Sequence, residues 1–135
     1  MTLYTSYFAN LKNIPDSIVP ISIALYPPKG YTGLSYPPLF PTPDILKQVK
    51  SSGDHRTYIL NYKHQVLDHL DMEHVLHDLS ILSNDQDTVL LCYEKPTKGF
   101  YCHRQLVSKW FGEHGITISE ITSDNLQPSD EQSLF

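Results

Sequence analysis

The stretch TVLLCYEKPTKGFYCHRQLVSKWFG, residues 88–112, decides the fold. Its first six residues, Thr88–Tyr93, are almost continuously apolar, the pattern of a strand covered on both faces in a parallel sheet. From Cys102 the character changes. Leu106, Val107, Trp110 and Phe111 recur at helical spacing through Phe111, and Gly112 or Gly115 supplies a stop. A buried strand, a Lys/Gly loop and an amphipathic helix in succession make half of a βαβ unit, and the rest of the chain is read outward from it.

Upstream, Thr2–Phe8 and the β-branched run Ile18–Tyr26 read as two further strands, and downstream Ile116–Ile121 alternates as an edge strand. The proline-rich loop Pro27–Pro41 excludes helix, because proline lacks the N–H and restricts the residue before it. Thr42-Pro43-Asp44 then opens a short helix towards Lys50. A second helix is expected over His55–Leu70, and a third is capped by Asp71, with Val75, Leu76, Leu79 and Leu82 on one side. The expected fold is α/β: a small parallel or mixed four-stranded sheet flanked by helices, in a Rossmann-like or flavodoxin-like three-layer arrangement. Residues 1–121 form a single domain, and 122–135 an acidic, mobile tail.

Composition narrows the function classes. The 135 residues are 40% hydrophobic, enough for one core without a metal. The net charge of −5 argues against general nucleic-acid binding, which needs a basic face. No segment reaches the roughly 18 apolar residues of a membrane span, and no leader pattern opens the chain, so a cytoplasmic location is expected. Two cysteines form no disulfide framework, and both read as free thiols. The histidines at 64, 69, 74 and 77 lack a metal-site pattern, so neither a metal nor a cofactor is expected. Self-association stays open.

In open parallel sheets ligands bind beyond the carboxyl ends of the strands. That rule selects the loops Ser6–Asn10, Tyr26–Tyr36 and Glu94–Arg104. In the last, Cys102-His103-Arg104 stands at a helix mouth, whose unpaired N–H groups attract anions and favour thiolate. Arg104 can hold a phosphate or carboxylate bidentately or make a structural pair with Glu94, while Lys95 and Lys98 add point charges and Gly99 lets the backbone approach. Cys102 reads as the more reactive thiol, and Cys92 as core. Glu94 is placed as a ribose acceptor or general base, His103 as a base or a solvent-facing cap. Tyr26, Tyr31, Tyr36 and Tyr93, with Lys29, Ser6 and Tyr7, fall on the same rim, where aromatic rings can stack on a base or pack the loop onto the sheet.

These residues resemble a known family. LYTSYFANL, PISIALYPPKGYTGLSY and LLCYEKPTKGFYCHRQLVSKW are similar to motifs of the DUF488 proteins, particularly short bacterial and phage-like members, over most of residues 2–111. The resemblance implies an α/β fold, a pocket at the strand ends, and functional positions at Cys92, Glu94, Cys102, His103 and Arg104. It does not imply a reaction. Members usually carry an arginine just after the second strand, where this chain has Leu25 before Tyr26 and Pro27.

Three functions are therefore expected in order. The first is binding of a nucleotide or nucleotide-derived signal, phosphate at the Cys-His-Arg helix mouth and base on tyrosines, acting by sequestration, including of a defence signal. The second is an enzyme cutting a phosphate or glycosidic bond of a nucleoside derivative through Cys102 or Glu94. The third is a protein-protein adaptor using the Pro/Tyr loop.

Overall fold

The computed structural model describes residues 1–93 and 103–122. Among these described residues are a five-stranded, wholly parallel sheet and four α-helices. The strands are β1 (Leu3–Tyr7), β2 (Val19–Ser22), β3 (Leu34–Ser35), β4 (Thr88–Cys92) and β5 (Ser119–Glu120). Their spatial order is β3-β2-β4-β1-β5, so the apolar run at 88–92 occupies the centre, with all five of its residues buried.

Pro20 sits inside β2 at no cost to the ladder. Val19 and Ile23 donate their N–H groups towards β4, to Asp87 and Leu91. The even-numbered positions therefore face β3, which pairs only with Ile21 and Ser22 and starts beyond Pro20. The sheet has one strand more than expected. β3 has two residues and no periodicity, and it is carried by its neighbours: the Tyr36 N–H donates to Ser22 O at 2.9 Å.

The helices are α1 (Pro43–Ser52), α2 (His55–Gln65), α3 (Met72–Ser83) and α4 (His103–Glu113). Thr42 accepts from the Ile45 N–H, and Asp71 from the His74 N–H, both as side-chain caps. Gly53 closes α1 in the left-handed region at φ 67°, which its lack of a Cβ makes inexpensive. The second helix is shorter than its periodicity suggests. It stops at Gln65, and Leu67–His69 continues as a 3-10 turn that keeps Val66 and Leu67 buried.

Alternation along the strands splits the core in two. Leu3, Ile21, Ile23, Leu90 and Cys92 face one way and pack with residues of all four helices, including Ile45, Tyr62, Leu79 and Phe111. Val89 and Leu91 face the other way, where Ile14, Ile18 and Ile121 cover them with Phe8, Leu11 and Tyr31 alongside. The sheet is thus the middle of three layers, the third built from the 3-10 segment Phe8–Asn13 and adjoining loops.

This layering sets where a sheet of this kind offers a crevice. The chain leaves β1 towards the 3-10 layer on its way to β2, whereas the connection from β4 to β5 includes α4, in the helix layer. Adjacent strands whose connections depart to opposite faces form a switch point, open at their carboxyl ends. Tyr7 and Cys92 are register partners there. Among the described residues, no helix is long and apolar enough to cross a membrane. The expected acidic tail, apart from Thr122, lies outside the described residues.

Candidate functional site

The first turn of α4 sends two consecutive side chains in different directions, as residues about 100° apart on a helix must. His103 turns towards β2 and β4. It is 3% exposed; its Nε2 lies 2.6 Å from Ile23 O and its Nδ1 3.3 Å from Cys92 Sγ. The Tyr62 ring packs on it at a centroid distance of 5.2 Å. A carbonyl only accepts, so Nε2 carries the proton and Nδ1 presents its lone pair to the sulfur. Burial pushes the imidazole down to about 4; the Ile23 hydrogen bond opposes this, and the neighbouring Arg104 charge adds to it. The ring is therefore neutral at physiological pH.

Arg104 turns the other way, beneath β1 and β5, and is fully buried. Its Nε donates to both oxygens of Glu120, at 3.0 and 3.3 Å, and the Thr5 hydroxyl donates to Glu120 Oε1 at 2.6 Å. The guanidinium carbon lies 5.8 Å from the centroid of the Tyr7 ring, within cation–π range. Nη1 and Nη2 are buried and have no hydrogen-bond partner among the described residues. Buried guanidinium N–H groups are costly to leave unpaired, about 1–3 kcal/mol or more for each lost partner.

Beyond the ends of β2 and β4 opens a cleft of about 750 Å³, within the range of small-molecule sites. Ala24, Leu25 and Tyr26 form one wall, Cys92, Tyr93 and His103 the floor, and Pro41, Leu46, Val49, Lys50, Gly53, His55 and Tyr58 the side made by α1 and α2. Tyr26 is 62% exposed at the rim, and the Tyr93 hydroxyl donates to its carbonyl. Among the described residues, no three His, Cys, Asp or Glu side chains come together to hold a metal ion.

The structure brings some of the sequence-selected residues together and separates others. Tyr26, Tyr93 and His103 share the cleft with Cys92. Arg104 and Tyr7 form a second cluster, with Tyr7 across the ladder from Cys92 and so about 4.8 Å away, strand to strand. Ser6 is elsewhere. It faces the 3-10 layer, where its hydroxyl donates to Ile121 O at 2.6 Å and accepts from Asn10 Nδ2. Lys29 is exposed and is not among the cleft residues. Tyr31 packs the loop down: its ring meets Phe8 edge-on, its hydroxyl donates to Leu34 O, and burial pushes its pKa up to about 12. Tyr36 is likewise buried and donates to Asp78. Glu94, Lys95, Lys98, Gly99 and Cys102 lie outside the described residues.

Two expectations about side chains are corrected. Cys92 is not a free thiol but disulfide-bonded; the chain's one other cysteine, Cys102, lies outside the described residues. A count of two cysteines excludes a framework of several bridges but weighs little against a single one. His103 is neither a cap nor solvent-facing, because the first turn of α4 packs on the sheet.

Sequence reasoning also missed residues. Among the described residues the partner of Arg104 is Glu120, and Lys50, His55 and Tyr58 enter the cleft. A signal for Glu120 existed: it is the acid on the strand that closes the βαβ unit whose helix carries Arg104.

Parallel strands, a cleft beyond the ends of β2 and β4 and a helix whose first turn supplies a buried imidazole and guanidinium define an α/β protein with a cleft at its strand ends. A family model described as the active DUF488-N3 subclade matches residues 7–115, most of the chain. The chain belongs to the DUF488 family. Comparison with curated proteins and with solved structures finds no match to either.

Proposed function

We propose that the protein binds a nucleotide or nucleotide-derived signal, with the ring in the cleft against Tyr26, Tyr58 and Tyr93 and a phosphate directed at the first turn of α4. Arg104 carries this reading. A fully buried guanidinium whose Nε is spent on Glu120 while Nη1 and Nη2 have no partner among the described residues is suited to a ligand with two oxygen acceptors. The N-terminus of α4, whose first turn carries Arg104, adds partial positive charge. Aromatic rings at the rim supply faces for a base, and stacking tolerates any base. None of this needs turnover, so the simplest action is sequestration, with the ligand held as an unaltered small molecule.

The test is mass spectrometry of small molecules released by denaturing the purified protein. The expected result is a near-stoichiometric, phosphate-bearing compound with ultraviolet absorbance, unchanged after prolonged incubation with the protein. A protein that releases nothing and takes up nothing from a nucleotide-rich extract contradicts the reading. Conversion of the compound during incubation supports the enzyme in its place, a reading favoured by one observation, the contact between Cys92 and His103.

A further inference from the structure

We propose that Cys92, once reduced, is a nucleophile towards an electrophilic carbon of a small molecule in the cleft, with His103 Nδ1 as the acceptor of its proton. Three features carry this. Cys92 Sγ and His103 Nδ1 are 3.3 Å apart, and both residues line the cleft floor. The imidazole is oriented by a third group, its Nε2–H donating to Ile23 O at 2.6 Å, which leaves Nδ1 as the basic nitrogen. The ring is held by packing against Tyr62 and is 3% exposed, so the geometry is fixed before any ligand arrives.

The disulfide is the resting, oxidised form. Its sulfur bears no proton and is not nucleophilic. Two-electron reduction by a dithiol, itself oxidised to a disulfide, returns Cys92 to the thiol, whose S–H then points at Nδ1. Because His103 is neutral, the reduced pair is a thiol beside an imidazole and not a preformed ion pair. The S–H proton passes to Nδ1 as sulfur bonds to the carbon. The bond to the leaving group breaks with its electron pair, and the imidazolium so formed, being strongly disfavoured by burial, returns the proton to that leaving group.

Carbon is the target and not phosphorus. Among the described residues the cleft lining is largely apolar, with Ala24, Leu25, Leu46 and Val49 in it, and suits a carbon electrophile better than a phosphoryl group, whose three oxygens require a cradle of donors. The inference shares with the proposed function only the premise that the cleft admits small molecules.

The test uses the full-length Cys102→Ser variant, which leaves Cys92 as the one thiol, and iodoacetamide as the electrophile, whose C–I bond breaks as the C–S bond forms. Alkylation at pH 7 is followed by peptide mapping, in native protein and in urea. The expected native rate is at least ten times that of the unfolded chain. Adding His103→Gln, which can still donate to Ile23 O but has no nitrogen at the Nδ1 position, should remove most of that advantage. A native rate at or below the unfolded one overturns the proposal, as does an advantage that survives in folded His103→Gln. Should that variant not fold, the ratio of native to unfolded rates decides alone. Fast alkylation in a protein that binds no nucleotide would retire the nucleotide reading and leave this one standing; nucleotide binding with an inert thiol would do the reverse.

Discussion

Replacing Arg104 by alanine should destabilise the protein by about 3 kcal/mol, the lower end of the range for removing one partner of a buried ion pair. Glu120 would keep the Thr5 hydroxyl but lose the guanidinium, and its side chain is only 26% exposed, so water can compensate it in part. Tyr7 would lose the cation over its ring, and a fully buried side chain would leave a cavity. One effect runs against these: the unpaired Nη1 and Nη2 disappear with the side chain, and their desolvation cost with them. The double variant Arg104→Met, Glu120→Gln should therefore recover most of the loss, since it removes both charges and keeps volume. Urea denaturation of the three proteins checks this. An alanine variant within about 1 kcal/mol of the parent would mean that the Glu120 pair contributes little and that the arginine is held for its ligand alone.

Acidification is expected to act through His103 with comparable size. Its folded pKa, about 4, lies below the ordinary 6.5, so between these values the unfolded chain binds a proton that the folded one refuses. Stability from this residue is complete above pH 6.5 and falls with pH until about 4. At 1.36 kcal/mol per pH unit the loss approaches about 3 kcal/mol. Other groups titrate over the same window, so the quantity to measure is the difference between the parent and His103→Gln, each unfolded by urea from pH 7.5 to 4. The gap between the two curves should change by about 2–3 kcal/mol across the range. Curves that run parallel would show that the imidazole is not held neutral in the interior.

The parts of the fold legible in the sequence are those where one local signal suffices. The apolar run at 88–92 reads as the central strand and is that strand, because burial on both faces leaves no room for alternation. Thr42 and Asp71 read as caps and bond the N–H groups that caps bond. The family was legible too, through motifs on all three interior strands. What escaped depends on partners distant in sequence. Leu34-Ser35 is a strand only because β2 offers it an edge, and α2 ends where Val66 and Leu67 must reach the core.

At the site, the sequence placed His103 and Arg104 together at a helix mouth but not the divergence of their side chains. That divergence follows from helix geometry once the sheet beneath is known: one reaches Ile23 and Cys92, the other Glu120 and Tyr7. Tyr31 was grouped with Tyr26 on one loop, yet one ring packs on Phe8 and the other stands at the cleft rim. Cys92 is core by burial, 4% exposed, and also cleft floor. A residue-by-residue reading treats those roles as alternatives, whereas at the end of a central strand they coincide.

Whether an anionic ligand is held at the first turn of α4 is decided by calorimetric titration of parent and Arg104→Lys with nucleosides and their 5′-mono- and diphosphates. Lysine keeps the charge and loses the fork. The account predicts that phosphorylated compounds bind the parent and lose about 10-fold or more in affinity on Arg104→Lys, the lower end of the 1.5–3 kcal/mol typical of a charge-assisted hydrogen bond, while any nucleoside binding is unchanged. Equal affinities for parent and variant across the phosphorylated series, or binding of nucleosides as tight as that of nucleotides, would contradict it.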